Sequence, residues 1–222
     1  MLERARQWWY HNQAPPGPMS AYLEADLPSP RADPRTTDYL AVDLETTGLH
    51  ADTDAIVSIG YLPISDGRIH CQDARHDLVQ VDGSVADSAT IHHIRDMDLQ
   101  DARPESEALA CLLHALQGRV LLVHHAPMDL QFLRAACRRH YGVPLIARVV
   151  DTLALAQRER SRGHAQARDG ELRLHALRSA YRLPRYPAHN ALSDALATAE
   201  LFLAMLPDWQ GSDSLPLRTL LR

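Results

Sequence analysis

The run Tyr39-Leu40-Ala41-Val42 leads straight into Asp43-Leu44-Glu45-Thr46-Thr47-Gly48-Leu49. Four apolar residues without alternation predict a strand buried on both faces, as in the interior of an α/β sheet. Side chains alternate along an extended chain, so Asp43 and Glu45 leave the same face. Two carboxylates placed together at the end of a core strand lose hydration and repel each other. The placement is stable when a cation joins them, and a hard divalent ion suits their oxygens. A turn-forming role for Asp43 is the plainer reading. Glu45 on the same face and the Thr46-Thr47-Gly48 that follows weigh against it.

Two further acids stand out by placement. Asp129 lies in His124-His125-Ala126-Pro127-Met128-Asp129-Leu130-Gln131-Phe132-Leu133. On a helix starting near Pro127, positions 129, 132, 133 and 136 share a face. They are Asp, Phe, Leu and Ala, so an acid points where the apolar residues point. Asp194, in His189-Asn190-Ala191-Leu192-Ser193-Asp194, opens the last predicted helix. For both acids a favourable interaction with the helix dipole is the alternative role. His189 is one of 13 histidines. An imidazole is suited to take a proton from water near neutral pH. By residue type alone His92, His93, His124 and His125 are equally suited, and His124 at a strand end reads as a packing residue.

Asp-x-Glu, then Asp, then His-x-Ala-x-x-Asp, in that order, resembles the DEDDh 3′–5′ exonucleases. This family includes the proofreading epsilon subunit of bacterial DNA polymerase III and the RNA-trimming oligoribonucleases. The resemblance runs from about Tyr39 to about Leu206. It implies an α/β, ribonuclease-H-like fold: a mixed five-stranded sheet with helices on both faces. It implies two Mg²⁺ or Mn²⁺ ions, about 3.5–4 Å apart, with Asp43 bridging both and Glu45, Asp129 and Asp194 completing the set. It gives His189 the task of activating water. Thr46 and Thr47 through their backbone, with Leu49, His92 and Met128, would hold the 3′-terminal nucleotide. Two positions depart from the family. His125 stands where Asn is usual, and Met128 stands where a Phe usually stacks on the terminal base. Methionine keeps an apolar and sulfur–π contact but defines the stacking less.

The motifs look closer to the proofreading subunit than to oligoribonuclease, which implies single-stranded DNA 3′ ends as substrate and nucleoside 5′-monophosphates as product. An exoribonuclease of the same superfamily, and a non-catalytic exonuclease-like module docking on a polymerase, are the alternatives. The presence of all five chemical residues argues against the second.

Composition bounds the rest. The 222 residues suffice for one domain with an appendage. The expected division is an N-terminal helix and Pro-rich tether over 1–36, an exonuclease domain over 37–208 and a tail over 209–222. Pro15, Pro16, Pro18, Pro28, Pro30 and Pro34 suggest a tether crossing a surface. Trp8, Trp9 and Tyr10 either pack on that surface or offer a docking patch to a polymerase or a second copy. Cys71, Cys111 and Cys137 are scattered without Cys-x-x-Cys spacing, against a disulfide framework or zinc site. The net charge is −5, and all 23 basic residues are arginine, whose planar fork suits phosphate. No apolar signal segment opens the chain and no run approaches membrane-span length, so a cytoplasmic location is expected.

Periodicity predicts strands at 39–45, 54–63, 67–73, 119–124 and 146–150. Helices are expected near 1–10, from Pro104 to Gly118, and over 127–141, 171–182 and 191–206. The polar, arginine-rich stretch 157–170 reads as a mobile loop.

Overall fold

The computed structural model describes residues 2–81, 94, 99, 102–162, 170–210 and 215–222. Strand β1 (Tyr39–Thr46) pairs antiparallel with β2 (Ile56–Ser65). On its other side β1 pairs parallel with β5 (Val120–Val123), and β5 pairs parallel with β6 (Val149–Asp151). Two short strands, β3 (Arg68–Ile69) and β4 (Arg75–Leu78), both lie antiparallel to the outer side of β2. The sheet thus has five positions across it and six strands: the strand expected over 67–73 is cut short to β3, and β4 begins beyond it. Between β3 and β4 the chain turns through Cys71–Asp73, closed by Asp73 N–H on His70 O and Ala74 N–H on Cys71 O. That stretch is exposed and lacks the β-branched and aromatic side chains that favour a strand.

The pleat sorts the core into two layers. Leu40, Val42, Leu121 and Val123 pack with helices α3 (Glu105–Leu116) and α4 (Ala126–Tyr141). Tyr39, Ala41, Val120 and Leu122 pack with the long helix α7 (Ala191–Gln210) on the opposite face. Asp43 and Glu45 continue the second set, so they emerge beneath α7. Helices α5 (Thr152–Arg162) and α6 (Leu174–Ala180) complete that layer. Among the described residues no helix is long and apolar enough to cross a membrane.

The N-terminal segment differs from a surface tether. Helix α1 (Leu2–His11) is followed by α2 (Pro18–Glu24), with Pro18 in the first turn, where its missing N–H costs nothing. Met19, Tyr22 and Leu23 of α2 are buried in the same cluster as α3 and α4, and the Tyr22 hydroxyl donates to Ile146 O at 2.7 Å. The Gln7 side chain donates to Leu23 O and Ala25 O, fastening α1 to α2. Tyr10 packs against the core, whereas Trp8 and Trp9 stay 68% and 52% exposed. At the other end Trp209, Leu217 and Leu220 join the core, Leu217 N–H donates to Ala32 O, and Arg222 N–H donates to Val149 O. Contacts therefore cross both boundaries of the expected division.

The 157–170 stretch also differs from the expectation, since α5 runs on to Arg162. Arg158 donates to Thr219 O and Leu220 O and lies over the Trp209 ring, and Arg160 pairs with Glu171. Arg168 lies outside the described residues.

Candidate active site

Along β1, Asp43 stands opposite Gly60 of β2 and Glu45 opposite Ser58. A methyl group on Gly60 would sit 2.2 Å from the carbonyl carbon of Ala191 and from the nitrogen of Leu192. The first turn of α7 therefore rests directly on the sheet beside Asp43, and only a residue without a side chain permits it. Asp194, in that same turn, arrives next to the β1 carboxylates. Asp43, Glu45 and Asp194 each place an oxygen so that all three lie within 4.8 Å of one another.

Asp194 is held by its own helix start. Asn190 caps α7 through Oδ1, which accepts Ser193 N–H at 3.0 Å. Asp194 Oδ2 accepts the His189 backbone N–H at 2.8 Å. His189 sits at φ 65°, a left-handed conformation uncommon for a residue with a side chain. The main-chain bond thus fixes the loop to the carboxylate, and the imidazole stays exposed beside it.

Asp129 approaches from the other layer: it lies outside the three-carboxylate set, yet near enough for its charge to act on Asp43. It is buried in the first turn of α4, whose start depends on a residue the sequence reading passed over. Asp151, at the end of β6, accepts His125 N–H and Ala126 N–H, both at 3.0 Å. It also accepts Leu153 N–H at 3.0 Å and Ala154 N–H at 3.3 Å. One buried carboxylate thereby caps both α4 and α5, serving donors that would otherwise have no partner. The visible signal was an Asp closing an apolar run immediately before a helical pattern, as an N-cap does.

Electrostatics set these acids apart from a surface cluster. Burial raises the Asp43 carboxyl well above its ordinary range, and the charges of Asp129, Asp194 and Glu45 add to the rise. Glu45 is pushed up to about 7 by burial and then by Asp194. Burial likewise raises Asp129 and Asp194, against the pull of backbone hydrogen bonds. Burial favours the protonated form of each group, and a bound cation would favour the charged form. The three clustered donors are carboxylates alone, which fits a hard divalent cation such as Mg²⁺ or Mn²⁺.

The remaining expected residues divide. His124 is half-buried just after β5, with Nε2 bonded to Leu172 O at 3.1 Å and Nδ1 to the Thr152 hydroxyl at 2.8 Å. Burial lowers it to about 4, so it is a neutral fastening residue. The Thr46 hydroxyl donates to Gly48 O, and Thr47 exchanges bonds with Ala55, leaving the Thr47 N–H already committed. Leu49 is exposed. Gln131, not singled out from sequence, donates to Leu49 O at 2.8 Å and meets Met128 Sδ at 3.4 Å, so it ties these two flanking residues together. His92 lies outside the described residues.

Residues 40–202 match the exonuclease (RNase_T) family. The chain belongs to that family. It is 32% identical over 170 residues to the DNA polymerase III subunit epsilon of Treponema pallidum, covering 76% of each chain. It is 31% identical over 166 residues to the PolC-type DNA polymerase III of Thermotoga petrophila, covering 74% of this chain and 12% of that far longer relative. Among solved structures, the nuclease domain of 3′hExo, a DEDDh family member bound to rAMP, superposes with a TM-score of 0.66 at 13% identity. That superposition covers 83% of this chain and 98% of that one. The resemblance to DEDDh exonucleases read from three short motifs therefore holds across the domain, and so does the mixed α/β fold.

Within this exonuclease-family domain, Gly60 is a sharp test of how the acids are assembled. Overpacking costs typically 1–3 kcal/mol, and here backbone rather than a flexible side-chain end must move. Gly60→Ala is expected to lower Tm by roughly 2–12 °C. Turnover at saturating metal should fall by about tenfold or more, because Asp194 shifts with α7. Calorimetry and a single-turnover assay on the same preparation check both parts.

Proposed function

We propose that the protein is a divalent-metal-dependent 3′–5′ exonuclease that removes nucleoside 5′-monophosphates from single-stranded DNA 3′ ends. The observation that carries this reading is the convergence of Asp43, Glu45 and Asp194 within 4.8 Å, with His189 bonded through its backbone to Asp194. Asp43, Glu45, Asp129 and Asp194 would hold two Mg²⁺ or Mn²⁺ ions. When bound, such ions stabilise charge on the phosphate and lower the pKa of water.

The chain's own residues do the rest. Leu49 and Met128, tied by Gln131, form an apolar flank for the terminal nucleotide. A ring nitrogen of His189 takes the proton from the attacking water. The water oxygen forms a bond to phosphorus, the bond to the upstream 3′-oxygen breaks, and that oxygen takes a proton from solvent. Asp194 keeps the His189 loop in register with the acids.

Likeness to the epsilon subunit, a relative that this chain matches along most of both lengths, supports DNA. The test is a time course on single-stranded DNA and RNA of one sequence, each labelled at the 5′ end, in Mg²⁺. Faster shortening of the DNA supports the proposal, and faster shortening of the RNA reverses the substrate assignment.

A further inference from the structure

A cavity of about 760 Å³ adjoins the carboxylate cluster and is not lined by Leu49 or Met128. Asp43, His189 and Asp194 form one end of it. Glu45, Thr46, Leu49 and Met128 do not line it, so it is distinct from the flank assigned to the terminal nucleotide while sharing Asp43 and Asp194 with the acid cluster. The far wall is built from α6 and the loop that carries His189. In a chain of net charge −5, that wall gathers Arg173, Arg178 and Arg185, together with His175 and Tyr186.

These arginines are not equivalent. Arg178 is 3% exposed and fully committed. It donates to Ala197 O at 2.7 Å, Pro184 O at 2.8 Å and Glu200 Oε2 at 2.7 Å, and its guanidinium lies 4.7 Å from the centre of the Tyr186 ring. The Tyr186 hydroxyl donates to the other oxygen of Glu200 at 2.9 Å. Arg178 is therefore a strut that fixes the 182–190 loop, and with it the shape of the cavity, onto α7. Arg173 and Arg185 are exposed, and among the described residues neither side chain makes an ion pair or hydrogen bond. Two guanidinium groups without partners among the described residues, on a lining that also carries Tyr186, Leu174 and Leu183, suit a phosphate joined to a nucleoside.

A phosphodiester cleaved at the acids has two sides. The terminal nucleotide leaves with the phosphate, and the shortened strand leaves with a free 3′-hydroxyl. With the terminal nucleotide on the Leu49–Met128 flank, the strand must depart on the other. We infer that this cavity receives the nucleotide immediately 5′ of the scissile bond, and that Arg173 and Arg185 bind the next phosphate upstream. The inference rests on the exonuclease reading and adds to it a second, charge-reading subsite.

Two single-stranded DNA decamers of one sequence test it. One carries phosphates throughout, and the other carries a single uncharged methylphosphonate at the linkage one step upstream of the terminal phosphodiester. Removal of the last nucleotide is measured for wild type, Arg173→Ala/Arg185→Ala and Arg173→Lys/Arg185→Lys. Wild type should prefer the all-phosphate strand by about tenfold in kcat/KM, the size of one charge-assisted hydrogen bond. The double Ala variant should show a ratio near one, and the double Lys variant should recover part of the preference. Equal rates on both strands for wild type, or an undiminished preference in the double Ala variant, would overturn the subsite while leaving the exonuclease reading intact. Failure of wild type to shorten the all-phosphate strand would sink the exonuclease reading, and the subsite with it.

Discussion

Asp43→Asn is expected to reduce exonuclease turnover by about 10²–10³-fold or more, the scale seen when one preorganised electrostatic contact to a transition state is removed. Asp43 is buried among other acids, and Asp129, Asp194 and Glu45 all raise its proton affinity. The same substitution should not cost stability in EDTA. In the wild type the folded carboxyls hold protons that the unfolded chain has already released. Between the ordinary carboxylate range and the raised folded values, the folded state therefore binds more protons, and stability falls as pH rises. For Glu45 that window extends to about 7. Wild type in EDTA should thus melt lower at pH 8 than at pH 5, and Mg²⁺ should restore Tm at pH 8. Asp43→Asn should show a smaller pH drop and a smaller gain from Mg²⁺. A variant with wild-type turnover, or one that melts far below wild type in EDTA, would remove Asp43 from the site.

His189→Ala should lower kcat by about 10²–10⁴-fold, the usual worth of a positioned general base. The bond from residue 189 N–H to Asp194 belongs to the main chain, so the variant keeps its loop and binds metal and 3′ ends. The acidic limb of the single-turnover pH profile should flatten, since the group that must be deprotonated is gone. His124 serves as the internal comparison. Both of its ring nitrogens are engaged and it is neutral across the working range, so His124→Ala should lower Tm while leaving the limb in place. If His189→Ala keeps the limb and the rate, another group takes the proton. If His124→Ala removes the limb, the assignment belongs to the wrong histidine.

The parts of this site that sequence made legible are those where one residue's type conflicts with its local pattern. Asp43 and Glu45 are acids on a buried strand, and Asp129 is an acid on the apolar face of a helix. The three elements that carry the acids were placed within a few residues of their observed bounds. What stayed hidden depends on contacts between distant segments. Gly60 reads as a weak point in a strand until α7 is laid across it, and Asp151 reads as the end of a strand until α4 is seen to start beside it. Arg178 sits on a short helix where an arginine would ordinarily face water, yet its partners lie on the His189 loop and on α7. The prolines around Met19, Tyr22 and Leu23 mask a two-turn helix, because proline disfavours helix interiors but not first turns. Past Ala156 the apolar stripe of α5 fades, and the helix continues there with Arg158 docked on the C-terminal segment.

The most direct measurement is analysis of the products from a 5′-labelled DNA single strand incubated with the protein in Mg²⁺. The expected result is a ladder shortening one nucleotide at a time from the 3′ end, with release of nucleoside 5′-monophosphates, and no reaction in EDTA or with Asp43→Asn. Internal cleavage, release of 3′-monophosphates, or undiminished activity in EDTA would contradict the chemistry assigned to Asp43, Glu45, Asp129, Asp194 and His189.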